Sequence, residues 1–441
     1  MEKFFRLKEN NTNVKTEIVA GITTFMAMAY ILIVNPNILS DAGMDKGAVF
    51  TATAISAAIA TIVMALIANY PVALASGMGL NAFFAYTIAS KYSWQIALTA
   101  VFIEGIIFIL LSFVSFREAI VNAIPQNLKY AVTVGIGLFI AFIGFQNSGI
   151  IVDNPSTLLS LGDLTSITVI FSLIGLIATI YMVHKNVKGA LLWGILGTYA
   201  LGVICQLVGL YQVNPDAGMY SLIPSGIVSL PPSLNSIFMK FDFSASFALG
   251  FEFVIIMFSF LFVDIFDTVG TLIGVASKAN LLDEQGNLPN AKQALLADAV
   301  GTTVGACLGT STVTSYVESA AGVAEGGKTG LTALTTGILF IVALIFSPIL
   351  TIIPSFATAP ALIIVGLFMM TSITKIDFSD YTEAFPAFLT LIVMPLAYSI
   401  ADGIMFGMLS WVILKLLAGK ANKVPVIMYI IAILFILKIL L

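Results

Sequence analysis

Apolar runs of membrane-spanning length follow one another along almost the whole chain, at 18–35, 47–69, 94–114, 128–147, 165–184, 188–211, 247–276, 291–308, 329–352, 358–373, 382–397, 400–418 and 424–441. A helix crosses the hydrocarbon layer in about 20 residues. Each run can therefore cross once, and the connections between runs are short. The longest polar stretch, 212–246, leaves no room for a soluble catalytic domain. A soluble globular chain is excluded as well, because only 10% of the residues are charged against 59% hydrophobic, where soluble chains carry about 25% charged residues.

Two further segments, 71–90 and 309–326, have membrane-like composition but are interrupted. The first, PVALASGMGLNAFFAY, carries Pro71, Gly77 and Gly79; the second opens with alternating Thr, Ser and Val before turning helical. Each reads as a short extended piece followed by a half-helix. With both counted as crossings and the N-terminus in the cytoplasm, only Lys46, Lys91, Lys240 and Lys438 of the 19 basic residues fall outside. That is the asymmetry of the positive-inside rule, and dropping either segment scrambles it. The fold class expected is an all-α polytopic membrane protein with about 14 transmembrane segments, arranged as a 7+7 inverted repeat. Its third and tenth helices are broken and carry short extended strands. In transporters built this way the substrate sits near the midplane, between half-helices. The run 424–441 is either a further span or an interfacial helix. The first 17 residues are polar and lack the apolar core and cleavage site of a signal peptide, so they are expected to remain on the mature protein.

Ionisable groups stranded in apolar runs are costly and so are functional candidates. Asp264 and Asp267, three apart in MFSFLFVDIFDTVGTLIGVA, share one helix face. Glu318 in TSYVESAAG follows the extended stretch on the first turn of its half-helix, and Asn81 in GMGLNAFF holds the matching place in the first half. Ser76, Thr310, Ser311, Thr312, Thr314 and Ser315 supply hydroxyls nearby. Glu104, Glu252 and Asp298 fit a structural hydrogen bond between helices as well as a transport role. Glu17, Glu383 and Asp402 lie near span ends and read as solvated. Cys205 and Cys307 fall in apolar runs and read as small buried hydrophobes.

Several function classes lack their residues. GVAEGGKT at 322–329 fits the phosphate-loop pattern G-x-x-x-x-G-K-[ST], but that motif needs a soluble α/β domain; here the segment reads as a turn, with Lys328 an anchor on the cytoplasmic side. The lone His184 beside Lys185 offers no metal centre, and no catalytic residues or cofactor are expected. The net charge of −4 gives no basic footprint for nucleic acid. A channel would need a continuous polar lining. An anion carrier would place Arg or Lys where Glu318 and Asn81 stand.

Across nearly its whole length the chain resembles the adenine–guanine–hypoxanthine permease family, the AzgA-like branch of the nucleobase/ascorbate transporter superfamily. The resemblance is carried by VKTEIVAGITTFMAMAYILIVNP at 14–36, GMGLNAFFAY at 77–86, FVDIFDTVGTLIGVA at 262–276 and GTSTVTSYVESAAGVAEGGKTGLTAL at 309–334. It implies 14 helices in two inverted repeats, divided into a core (spans 1–4 and 8–11) and a gate (5–7 and 12–14). The corresponding divisions are 14–115 and 244–350 for the core, and 116–230 and 351–441 for the gate, the last including the C-terminal hydrophobic helix. It also implies purine-binding positions at Asn81, Asp264 and Glu318, with Asp267 in support. The residue chemistry agrees, since a carboxylate can accept two N–H bonds side by side from a purine edge while a second carboxylate or an amide meets the other. Phe83, Phe262, Phe266 and Tyr316 are candidates to cover the ring, although packing explains any one of them. The expectation is import of guanine or hypoxanthine, with adenine open, across the cell membrane by proton symport. Asp264 or Glu318 would carry the proton, since a carboxyl removed from water holds its proton more readily. The alternative is a carrier of another nucleobase or a small anion. The partners expected are the nucleobase and the lipid bilayer, with a homodimer left open.

Overall fold

The computed structural model describes residues 2–112, 124–214, 219–279, 281 and 288–440; the side chains of 266, 273, 277, 278, 438 and 440 are also outside the description. Arg117, the 115/116 domain boundary, and the Phe266, Lys278 and Lys438 side chains therefore fall outside the described residues.

The protein is mostly helical, and among the described residues ten helices are long and apolar enough to cross a membrane. They follow the apolar runs closely: Gln126–Asn147, Ile167–His184 and Ile400–Leu417 lie within a few residues of 128–147, 165–184 and 400–418. The remaining runs give shorter or less apolar helices, including Met78–Ala89, Tyr381–Leu396 and Ala291–Leu308. The terminal run forms Val426–Leu440, packed on Ile400–Leu417. The outward faces are apolar. Ile170, Ile174, Ile177 and Tyr181 recur at three- and four-residue spacing along Ile167–His184, and all are exposed. In water such a stripe would aggregate; against lipid tails it is the required surface.

Inside, small residues let backbones meet, as lipid-embedded helices require. A Cβ on Gly366 would lie 2.4 Å from the Gly137 carbonyl oxygen, where Ser355–Met370 crosses Gln126–Asn147. Thr198 and Thr179 likewise fill the spaces over Gly175 and Gly194. The first crossing is two helices, Val14–Met28 and Ile31–Asp41, that meet at Tyr30; Pro36 in the second removes one backbone donor.

Two strands of three residues, Leu74–Ser76 and Val313–Ser315, lie buried within this bundle. They pair antiparallel with Leu74 opposite Ser315, Ala75 opposite Thr314 and Ser76 opposite Val313. The pairing extends at both ends, through Gly77 N–H to Thr312 O and Tyr316 N–H to Ala73 O, each 2.9 Å. Pro71 and the β-branched run 312–314 keep both segments out of helix, and pairing satisfies backbone groups that lipid could not. Met78–Ala82 follows the first strand and Ser319–Ala324 the second. Gly77 permits the crossing: a Cβ there would sit 2.6 Å from Thr314 Cγ2. A separate hairpin, Ile151–Asn154 with Leu158–Leu161, is more exposed.

Candidate functional site

The paired strands collect the sequence-derived candidates into two linked groups. Asn81 is wholly buried, its Oδ1 accepting a 2.8 Å bond from Ser76 Oγ. Ser76 Oγ lies 3.2 Å from Thr310 Oγ1, which accepts at 2.9 Å from Asn35 Nδ2; the same amide donates to Thr53 Oγ1 at 2.8 Å. Asn81 is thus held inside a net that ties three helices to the strand crossing. It orients the first strand rather than facing open space.

The acidic group lies on the other strand. Asp264 Oδ1 accepts from Thr268 Oγ1 at 3.4 Å, Thr268 Oγ1 lies 2.8 Å from Thr314 Oγ1, and Thr314 approaches Asp267 Oδ2 at 3.5 Å. Thr314 thus meets Asp267 directly and is linked to Asp264 through Thr268. Their depths differ, because Asp264 is wholly buried while Asp267 and Glu318 are half-buried. The sequence ranks Asp264 as the second ligand and Asp267 as support. In this structure Asp264 is wholly buried and bonded to Thr268, and it is the partly exposed Asp267 that stands within electrostatic reach of Glu318.

Glu318 caps the Ser319–Ala324 helix, and its Oε1 accepts a 2.7 Å bond from the Tyr30 hydroxyl, itself 1% exposed. Asp267, Tyr30 and Tyr316 all stand within electrostatic reach of Glu318. Tyr316 donates through its hydroxyl to Ser76 O, joining the two groups. The sequence reading missed Tyr30, whose only signal was one hydroxyl at the bend of an apolar run.

Other candidates sit elsewhere. Asp298 accepts from Ser315 Oγ at 3.1 Å and braces the second strand from behind. Glu104 is wholly buried. Glu252 is partly exposed and pairs with Lys91 at 2.7 Å, which suits a helix end. Of the residues expected in solvent, one is wholly buried and Glu383 is only partly exposed. Glu383 pairs at 2.7 Å with Lys415, whose side chain is 5% exposed, and accepts from Trp411. Glu17 is wholly buried. Asp402 lies in the first turn of Ile400–Leu417. Cys205 and Cys307 are free and half-buried. Phe83 packs edge-on against Phe260 and Phe262 lies tilted beside Phe258. Among the described residues, no three His, Cys, Asp or Glu come together as a metal site would require.

A bundle of apolar helices with a buried polar strand crossing and three carboxylates beside it defines a polytopic membrane carrier. The chain belongs to the permease family, whose model matches residues 15–406, in its nucleobase-transporting branch. Members of that family are transporters, not enzymes. The chain is 43% identical over 441 residues to an adenine permease of Escherichia coli (strain K12), covering 100% of this chain and 96% of that one. It is 46% identical over 448 residues to a guanine/hypoxanthine permease of Bacillus subtilis (strain 168), covering 99% of each. Two solved structures share the fold at low identity. The transmembrane domain of a cyanobacterial bicarbonate transporter superposes with TM-score 0.63 and 16% identity, covering 88% of this chain and 97% of that one. The murine Solute Carrier 26 family member A9 anion transporter, in its inward-facing state, gives 0.63 and 12%, covering 92% and 68%.

Proposed function

We propose that this protein imports purine nucleobases across the cell membrane by proton symport, taking guanine or hypoxanthine, with adenine open. The observation that carries the reading is the pair of half-buried carboxylates, Asp267 and Glu318, beside the strand crossing. Guanine presents N1–H and an exocyclic N–H side by side and hypoxanthine its N1–H, and Glu318 accepts from that edge while Asp267 meets the other. Asp264 and Asn81 stand beside the strand crossing as the further purine-binding positions, and Tyr30 aims Glu318. Asp264 or Glu318 carries the coupling proton, the intramembrane carboxylates being the candidates for that role. Relatives named as adenine permeases and as guanine/hypoxanthine permeases support the substrate class. A small-anion carrier is the poorer reading, because this site offers carboxylates where an anion needs donors.

The chain is organised as a 7+7 inverted repeat with broken third and tenth helices. Core segments 14–115 and 244–350 move against gate segments 116–230 and 351–441 in an elevator-like or rocking motion, with the N-terminus cytoplasmic and a homodimer open. Among the bonds that span the proposed divide and must break in that motion are Thr87 Oγ1 to Tyr398 O at 2.8 Å, Lys46 Nζ to Ile353 O at 3.2 Å, Ser229 Oγ to Ser347 Oγ at 2.9 Å, and Lys188 to Glu325 at 2.7 Å. Uptake of labelled hypoxanthine, uracil and sulfate measured in parallel tests the reading. Hypoxanthine alone should accumulate, and sulfate uptake without hypoxanthine uptake would overturn it.

A further inference from the structure

The 322–329 segment with the letters of a phosphate loop does fold around an anion, and the anion belongs to the chain itself. Glu17 is wholly buried, and its carboxylate oxygens receive Lys328 N–H at 3.0 Å, Thr329 N–H at 3.2 Å, Thr332 N–H at 3.2 Å and the Thr332 hydroxyl at 2.6 Å. The helix Gly330–Ala343 begins at this point with Thr329 as its cap. Its other early donors are also taken, Gly330 N–H by Asn69 Oδ1 at 2.9 Å and Leu331 N–H by Thr329 Oγ1 at 3.3 Å. Backbone donors converging at a helix start are the usual cradle for a phosphate or carboxylate. This cradle is filled from within.

The filled cradle lies at one end of a closely packed assembly with Glu318 at the other. Gly322 of the Ser319–Ala324 helix packs on Val14–Met28 so closely that a Cβ would meet Thr24 Oγ1 at 2.1 Å and Ala20 O at 2.6 Å. A Cβ on Gly21 would meet Thr332 O at 2.6 Å, and Thr336 Oγ1 donates to Gly21 O at 2.9 Å. Val14–Met28 leads directly to Tyr30, the donor to Glu318. Tyr30 lies 13 residues beyond Glu17, about 20 Å along the helix, so Glu17 cannot touch a ligand at Glu318.

We propose that the 326–332 segment is an anion cradle whose resident is the Glu17 carboxylate, and that this internal anion positions Tyr30 and Glu318 for the substrate. The inference rests on the purine reading for its functional half. Its structural half stands alone. Removing the carboxylate leaves the Lys328 and Thr329 N–H groups without their acceptor, leaves Thr332 only the Thr329 and Glu17 backbone carbonyls, and frees the first helix to shift against the segment carrying Glu318. An open hollow of about 330 Å³, lined by Asn69 and Lys328 among others, lies beside these residues.

The test uses purified full-length protein, with formate and acetate as anion probes. The Glu17→Ala variant should melt earlier than wild type and recover saturably with formate or acetate but not with equal chloride; wild type should not respond. Its hypoxanthine Kd should rise about 5- to 150-fold and fall again with formate. Glu17→Gln, nearly isosteric, should weaken binding in the same range while folding normally, and it decides the question if Glu17→Ala does not fold. Lys328→Ala keeps its backbone N–H and should bind as wild type does. Wild-type affinity in Glu17→Gln overturns the positioning role, as does anion-dependent stabilisation with unchanged affinity. No anion response in a folded Glu17→Ala protein overturns the cradle. A wild-type protein that binds no purine sinks the proposed function instead, and the melting experiment then decides the cradle by itself.

Discussion

Glu318→Gln probes the site most sharply, because Tyr30 fixes which way the new amide must face. The Tyr30 hydroxyl, buried and 2.7 Å from Glu318 Oε1, needs an acceptor. In the variant it takes the single amide oxygen, which turns the NH2 group toward the ligand. The purine then meets a donor where it had an acceptor. Losing one charge-assisted bond costs about 1.5–3 kcal/mol, so the hypoxanthine Kd should rise about 10- to 150-fold. Equilibrium binding of labelled hypoxanthine to purified protein measures this. Adding Tyr30→Phe releases the amide to rotate, so the double variant should bind more tightly than Glu318→Gln alone, a non-additive cycle. A Kd for Glu318→Gln within threefold of wild type, or strict additivity with Tyr30→Phe, would refute the assignment.

Three further outcomes follow from the same geometry. Asp267→Asn should weaken hypoxanthine binding by about 1–2 kcal/mol, read in the same assay; an unchanged Kd would return the second-ligand role to Asp264. Gly77→Ala places a methyl 2.6 Å from Thr314 Cγ2, an overpacking cost of about 1–3 kcal/mol that should lower the melting temperature and uptake. Thr314→Ser, which removes that methyl and keeps the hydroxyl, should restore both. Cysteines replacing Thr87 and Tyr398, joined by a short thiol cross-linker, should stop uptake if core and gate move apart there, and uptake should return when the link is cleaved.

Span positions were readable from the sequence because lipid imposes both a length and a composition on every crossing. That is why Gln126–Asn147 coincides with an apolar run. Proline, glycine and β-branched residues marked the extended segments, but nothing in the letters gave the register that sets Thr314 opposite Ala75. That register decides how deep each aspartate lies. A spacing of three puts Asp264 and Asp267 on one face and does not say which one is wholly buried and bonded to Thr268. Glu17 was misread for a related reason. Its partners are backbone N–H groups some 311 to 315 residues away, so no opposite charge in the sequence announces them. Its signal is the phosphate-loop pattern itself, whose donors here serve an internal carboxylate rather than an external nucleotide. Glu383 looked solvated because its partner Lys415 lies on the next helix, beyond the reach of local pattern.

The central claim is that a purine and a proton cross together through the Asp267–Glu318 site. Its most direct test is labelled hypoxanthine uptake into proteoliposomes of the purified protein, with an imposed acid-outside gradient and no other energy source. Accumulation above the external concentration, abolished by a protonophore and absent in Glu318→Gln, is the result expected. Equal equilibration with and without the gradient, or undiminished accumulation by Glu318→Gln, would contradict it.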